Sequence, residues 1–306
     1  VGNGSVASGL VYHCEGVPPQ IIYSKRLPLT IQKENHAQKL STFVLSVLKE
    51  VVEATAKEGP ERIKALNLPI QKIDHTFCIL SSPWYVSKTK VLTLENEKPI
   101  VITKSFVDSL LEKEESIFKQ ELIEKNGSAT SNFELVERRI IQAKLNGYST
   151  ANPYQKKAKN IELAMFISVA SQEMVRAIEH VVGMYFHSRR MSFYSFSLVG
   201  HSVVRDIFVN ESTFIFADVS SEVTDVSSIE NHVLMESASF PLGRNYFLQK
   251  ISDTFNISGE IALSMLNMYA SGHAATESAE KIEAVCKKAM QEWGSYFFHS
   301  VSDIAK

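Results

Sequence analysis

The chain has 306 residues, 44% of them hydrophobic and 22% charged, with a formal net charge of −2 at pH 7. That is apolar material for one large core or two moderate ones, and too little positive charge for bulk attraction to nucleic acid or anionic lipid. Three dispersed cysteines, Cys14, Cys78 and Cys286, form no CxxC pair and fit a reducing compartment better than a disulfide framework.

No apolar run reaches the roughly 20 residues of a membrane span, and no charged-then-apolar leader opens the chain. The start at Val1, directly on motif-like residues, points to a fragment or a trimmed end. Val6 to His13 and Gln20 to Leu29 read as strands joined by a Gly16-Val17-Pro18-Pro19 turn. Ala37, Leu40, Phe43, Val44, Val47, Leu48, Val51 and Val52 then recur at helical spacing, with Gly59-Pro60 as the expected stop. Strands are expected at 73–82 and 89–94, separated by a Pro83-Trp84-Tyr85 break, and a helix from Ser105 to Lys125. A loop at Asn126–Ser131 precedes a strand at 134–146, a polar lysine-bearing loop at 149–160, a strand at 161–170 and a helix at 171–187. From Met191 the pattern shifts to short strands at 191–199, 213–219, 223–230 and 233–241, then helices at 243–255, 258–270 and 275–297.

The segment from Phe216 to Val226 is a strand ending in Asp218, then Val219, Ser220, Ser221, Glu222 and Val223, then Thr224-Asp225 entering another strand. A hairpin of this kind aims backbone amides and hydroxyls at a phosphate while a carboxylate holds magnesium through water. Asp, Ser and Thr also favour turns for purely local reasons, so a plain polar hairpin is the competing reading. Gly2-Asn3-Gly4-Ser5 is a second small-residue turn, also feeding a strand. One such turn opening each lobe would face the other across a cleft and clamp a phosphate chain.

These two turns resemble the phosphate hairpins of the bacterial actin-like ATPases, and the finer likeness is to the division protein FtsA and its pilus relative PilM. Phe240-Pro241-Leu242-Gly243-Arg244-Asn245 resembles the passage from strand to helix after the second loop. Leu145-Asn146-Gly147-Tyr148, followed by Asn152-Pro153, resembles the inserted subdomain of FtsA and PilM. The resemblance implies an α/β, actin-like (ribonuclease H-like) two-lobed fold with an inserted α+β subdomain and an incomplete C-terminal part. Residues 1–69 would be the first part of the first lobe, 70–188 the insert, and 189–306 the end of the first lobe and start of the second. It implies ATP held at Gly2, Asn3, Gly4, Ser5, Ser220, Ser221 and Thr224, with Glu260 at the nucleoside and magnesium at Asp218 and Asp225 through water. The implied protein is a cytoplasmic scaffold of cell division or type IV pilus assembly, at most a slow ATPase. It would self-associate and bind a division-ring protein or, as PilM does by a short peptide, an inner-membrane pilus component. No nucleic acid is implied, and membrane contact is indirect.

Three departures favour an alternative, a degenerate adaptor of the same fold that only binds protein partners. The family's first loop begins with an Asp, which here would precede Val1. Its second loop is glycine-rich, whereas Ser220, Ser221 and Glu222 restrict the backbone and bring a carboxylate to the phosphate position. Leu263 and Ser264 stand where a Lys should follow Glu260. A sugar or acetate kinase would need a complete glycine-rich loop and a substrate acid, neither of which is present. His201-Ser202 with Asp206 lacks a Gly-x-Ser-x-Gly elbow. His187–Arg190 and Lys156–Lys159 read as solvated turns, with an acidic partner or a polymer neighbour as the sharper alternatives. Trp84, Tyr85 and Trp293 read as core or interface anchors.

Overall fold

The computed structural model describes residues 1–29, 37–70, 72–126 and 132–304. The contacts divide the chain into two compact units, one of Val1–Pro69, Ile215–Val226 and the segment from Ala238 onward, the other of Ile70–Phe214 and Ser227–Ser237.

The first unit opens with a hairpin of β1 (Ser5–Cys14) and β2 (Val17–Pro28), paired antiparallel from Ser5 opposite Pro28 to Cys14 opposite Val17. Gly16 takes a positive φ of 79° at its tip, a conformation open to residues without a Cβ. Against the hairpin lies α1 (Ala37–Ala65), burying Val44, Val47, Leu48, Val51 and Val52 at helical spacing. The expected stop at Gly59-Pro60 is corrected, because the helix runs through both to Ala65. Gly59 serves packing instead: a Cβ there would stand 2.2 Å from Leu10 Cδ1 on β1. Three helices complete this unit: α5 (Arg244–Phe255), α6 (Gly259–Ala270) and α7 (Thr276–Ile304). Ile251, Ala262 and Ile282 form their shared core. The last turns of α7, beyond the expected end at 297, bring Val301 and Ile304 onto Val226 and Phe240.

The second unit is built on an antiparallel sheet in the order β4-β7-β5-β6, from β4 (Tyr85–Val101), β5 (Phe133–Leu145), β6 (Tyr148–Ser149) and β7 (Lys157–Ser171). β7 is central, with Ile167 opposite both Lys88 and Arg138, so Leu163–Ala170 is a continuous apolar run apart from Ser168. α2 (Lys104–Asn126) packs Val107 and Leu111 on Ile161, Leu163 and Met165. α3 (Gln172–Gly183) buries Met174, Val175, Ile178 and Val182. Of the loop expected at Asn126–Ser131, Gly127–Ser131 lie outside the described residues. A separate parallel pair joins β3 (His75–Leu80) to β8 (Arg190–Ser195).

One expected strand is corrected. The run 191–199 leaves extended structure at Ser195 and becomes α4 (Phe196–Ile207). Phe196, Leu198 and Val199 look strand-forming, but burial of Ser197, Leu198 and His201 shows the helical period that wins. Finally, β9 (Phe214–Val219), β10 (Thr224–Glu230) and β11 (Val233–Phe240) form a sheet in the order β11-β10-β9.

Candidate functional site

The turn between β9 and β10 is closed by its own groups. Ser220 donates to the Val223 carbonyl through both its N–H (3.0 Å) and its hydroxyl (2.7 Å). The Ser220 and Ser221 carbonyls accept from the Arg244 and Asn245 N–H groups, each at 2.8 Å, so the first turn of α5 is spent on this loop. Gly243, the residue before α5, makes that approach feasible: a Cβ on it would stand 2.4–2.5 Å from the Ser221 and Ser220 carbonyl oxygens.

The first turn reaches the same place. Asn3 is buried, and its Oδ1 accepts from the Ser221 N–H at 3.1 Å and the Glu222 N–H at 3.3 Å. Its Nδ2 donates to Ser220 Oγ at 2.9 Å. Beside it, a Cβ on Gly4 would fall 1.7 Å from Ser221 Oγ, so the two turns abut. The expected arrangement, one turn in each lobe with a gap between, is replaced by direct contact inside the first unit.

The other expected ligands are placed as follows. Gly2 donates its N–H to the Ser5 carbonyl at 3.2 Å, and the Gly4 carbonyl accepts from Leu29 at 2.9 Å. Ser5 Oγ accepts from Arg26 Nε at 2.8 Å, which ties it to the hairpin. Thr224 is fully buried, its hydroxyl donating to the Leu242 carbonyl at 2.7 Å and accepting from Trp293 Nε1 at 3.1 Å. Trp293 is thus a core anchor with its N–H satisfied. Glu222 Oε1 accepts from Asn245 Nδ2 at 2.6 Å. Glu260 is exposed on the first turn of α6, where the dipole favours an acid, and no hydrogen bond among the described residues links it to the two turns.

Asp218 and Asp225 stand on neighbouring strands, β9 and β10. Burial, and then the neighbouring charge of Asp225, raise the Asp218 carboxyl above the ordinary aspartate range. Asp225 Oδ1 accepts from Ser239 Oγ at 2.5 Å. Two carboxylates side by side are a donor set for a hydrated magnesium ion, which keeps several of its waters. No group of three metal-ligating side chains occurs among the described residues. A phosphate chain is a different matter: the Ser221 and Glu222 amides are taken by Asn3, the Thr224 hydroxyl is spent, and Gly4 touches Ser221. The residues present do not fit it.

The sequence also drew attention to His201, Ser202 and Asp206. Ser202 Oγ donates to the Leu198 carbonyl at 2.8 Å, and Asp206 pairs with Arg205 at the exposed end of α4. Burial lowers the His201 pKa, favouring its neutral form. No nucleophile is assembled there.

No family model and no curated protein matches the sequence. Among solved structures, a chain of the "PilM-PilN type IV pilus biogenesis complex" superposes over 98% of this chain and 76% of its own length, with a TM-score of 0.57 and 13% identity. The fold is actin-like. A Bacteroides thetaiotaomicron protein described as having an actin-like ATPase fold and unknown function aligns over 82% of this chain and 74% of its own, at 13% identity and a TM-score of 0.38. The ethanolamine utilization protein EutJ from Carboxydothermus hydrogenoformans aligns over 43% of this chain and 42% of its own, at 11% identity and a TM-score of 0.30.

The actin-like fold carries a second feature that sequence reasoning missed. In the second unit, a groove of about 440 Å³ runs between β5 and β8, lined by Leu135, Glu137, Arg139, Met191, Phe193 and Tyr194 among others. β5 pairs with β7 on one side and meets β6 only at Lys144 and Leu145; β8 pairs with β3 on its other side. Over the groove, both edges lack a strand partner among the described residues. Bulges interrupt the β5–β7 register at Leu135/Glu137 and Ile140/Gln142, the kind of irregularity that re-aims a side chain at a site.

Glu137 is the buried polar group of this groove. Its Oε1 accepts from Ser195 Oγ at 3.0 Å, and its Oε2 pairs with Arg139 at 3.3 Å. Burial raises its pKa despite those partners. Arg139 also lies over the Tyr194 ring at 5.7 Å. The missed signal is the bulge: the strand-like run from Phe133 to Leu145 gives no hint that one edge stays open.

Proposed function

We propose that this chain is a non-hydrolysing actin-like adaptor that holds an extended segment of a protein partner along the groove between β5 and β8. The observation that carries this reading is the pair of facing, unpartnered strand edges. Such edges template main-chain pairing. A segment laid along the groove would bond to one of them, because β5 and β8 come within 8 Å of each other over part of their length, less than the roughly 9.5 Å an intervening strand needs. Leu135, Met191, Phe193 and Tyr194 offer apolar and aromatic surface for alternate side chains of that segment, with Arg139 at hand for an acidic one.

The similar structure is a complex of PilM with PilN. We infer a PilN-type component at the inner face of the cytoplasmic membrane as the partner, and pilus assembly ahead of cell division as the setting. No helix among the described residues is long and apolar enough to cross a membrane. The experiment is fluorescence polarisation with labelled peptides tiling the PilN-type protein of the same genome. One peptide should bind with a micromolar Kd, and Tyr194→Ala with Leu135→Arg should weaken it by roughly tenfold or more. Binding by no peptide, or binding indifferent to both substitutions, ends the proposal.

A second reading, an ATP-dependent self-associating scaffold, keeps one observation in its favour, the Asp218–Asp225 pair. Magnesium separates the two. An ion held by the pair lifts the unfolding midpoint of the wild type and leaves Asp218→Asn unmoved.

A further inference from the structure

We propose that Asn3 is a built-in occupant of the β9–β10 turn, standing where an anion would sit and closing the turn to nucleotide. The proposal rests on the actin-like fold and is independent of the β5–β8 groove. Two consecutive backbone N–H groups in a tight turn form an anion-binding concavity. Here those groups belong to Ser221 and Glu222, and both converge on one oxygen, Asn3 Oδ1, at 3.1 and 3.3 Å. The carboxamide accepts as a phosphate oxygen would but brings no charge. Glu222, which would repel an anion, is therefore accommodated beside it, with its carboxylate held by Asn245 Nδ2 at 2.6 Å.

The other half of the Asn3 amide fixes the arrangement. Its Nδ2 donates to Ser220 Oγ at 2.9 Å, and that hydroxyl donates on to the Val223 carbonyl, so one side chain spans the turn. A helix N-terminus is a second source of anion-binding amides. The α5 N-terminus is already committed, its Arg244 and Asn245 N–H groups each 2.8 Å from a turn carbonyl. The close approach of Gly4 to Ser221 leaves no layer between the turns. An incoming phosphate must therefore evict Asn3 and force the two backbones apart. Serine at positions 220 and 221 suits this account, since the turn receives a neutral side chain at hydrogen-bond distance and not a ligand that needs a bare backbone.

The test uses the full chain and three probes: Mg-ATP, Mg-ADP and inorganic pyrophosphate. Wild type should show no midpoint shift at millimolar concentrations of any of them. Asn3→Ala should unfold roughly 2–6 °C lower, because buried amides lose their acceptor, and pyrophosphate should restore part of that loss. A wild-type chain stabilised by Mg-ATP overturns the proposal. So does an Asn3→Ala chain that keeps its midpoint, or one that pyrophosphate leaves unchanged. Should the variant fail to fold, amide exchange on the wild type decides. Ser221 and Glu222 should be protected without nucleotide and unaltered by it; protection that appears only with Mg-ATP sinks the idea. Peptide binding in the groove is read separately, so failure of either proposal leaves the other standing.

Discussion

At Gly243 the constraint comes from backbone on both sides, which is why the residue is not interchangeable. A methyl there meets the Ser220 and Ser221 carbonyls, neither of which is a flexible side-chain end. Gly243→Ala should cost roughly 2–4 kcal/mol, measured by chemical denaturation with an unchanged m-value. Asp218 yields a pH prediction. Folding raises its pKa, so the folded state favours the protonated acid. Its charge carries no penalty below the unfolded aspartate range, and the penalty grows as pH climbs through that range to the raised folded value. Asp218→Asn should therefore be more stable than wild type at neutral pH, with the advantage vanishing in acid; denaturation curves from pH 3 to 8 read it directly. Candidate residues at this scale were legible because turn-forming types cluster in sequence. What each one touches was not: Thr224 looks like a phosphate ligand in the sequence, and only packing shows its hydroxyl spent between Leu242 and Trp293.

Among the elements, α1 shows how a strong local signal yields to packing. Gly59-Pro60 is a reliable helix stop in isolation, yet the helix continues through both to Ala65, and Gly59 lets Leu10 of the β1–β2 hairpin come close. Pro60 is exposed and has no N–H to offer the Ala56 carbonyl. Pro60→Ala should stabilise the chain by about 1–3 kcal/mol, read as a higher thermal midpoint with an unchanged fold by circular dichroism. β8 and α4 make the complementary point. Phe193, Tyr194 and Phe196 have similar propensities, and the change from strand to helix at Ser195 follows from which side chains find a core. The groove belongs to this scale too, since an open edge is a property of which strands pair, and pairing is set by contacts far apart in sequence.

For the whole molecule, the two readings of function differ in what nucleotide does. A scaffold driven by ATP changes its assembly with Mg-ATP, whereas a chain whose turn is filled by Asn3 does not. Sedimentation velocity should give the same distribution with and without Mg-ATP at millimolar concentration, and a shift to larger species would restore the nucleotide-driven scaffold. The sequence by itself determined the α/β character, the order of most elements and the two turns, because apolar periodicity and turn-forming residues act over a few neighbours; the actin-like reading came from the likeness of those motifs to a known family. Tertiary structure alone decided that Asn3 and Ser221, 218 positions apart, share hydrogen bonds, and that β5 and β8 present open edges to one groove. Those facts depend on which distant groups satisfy buried amides and which strands pair, and neither is written in any short stretch of chain.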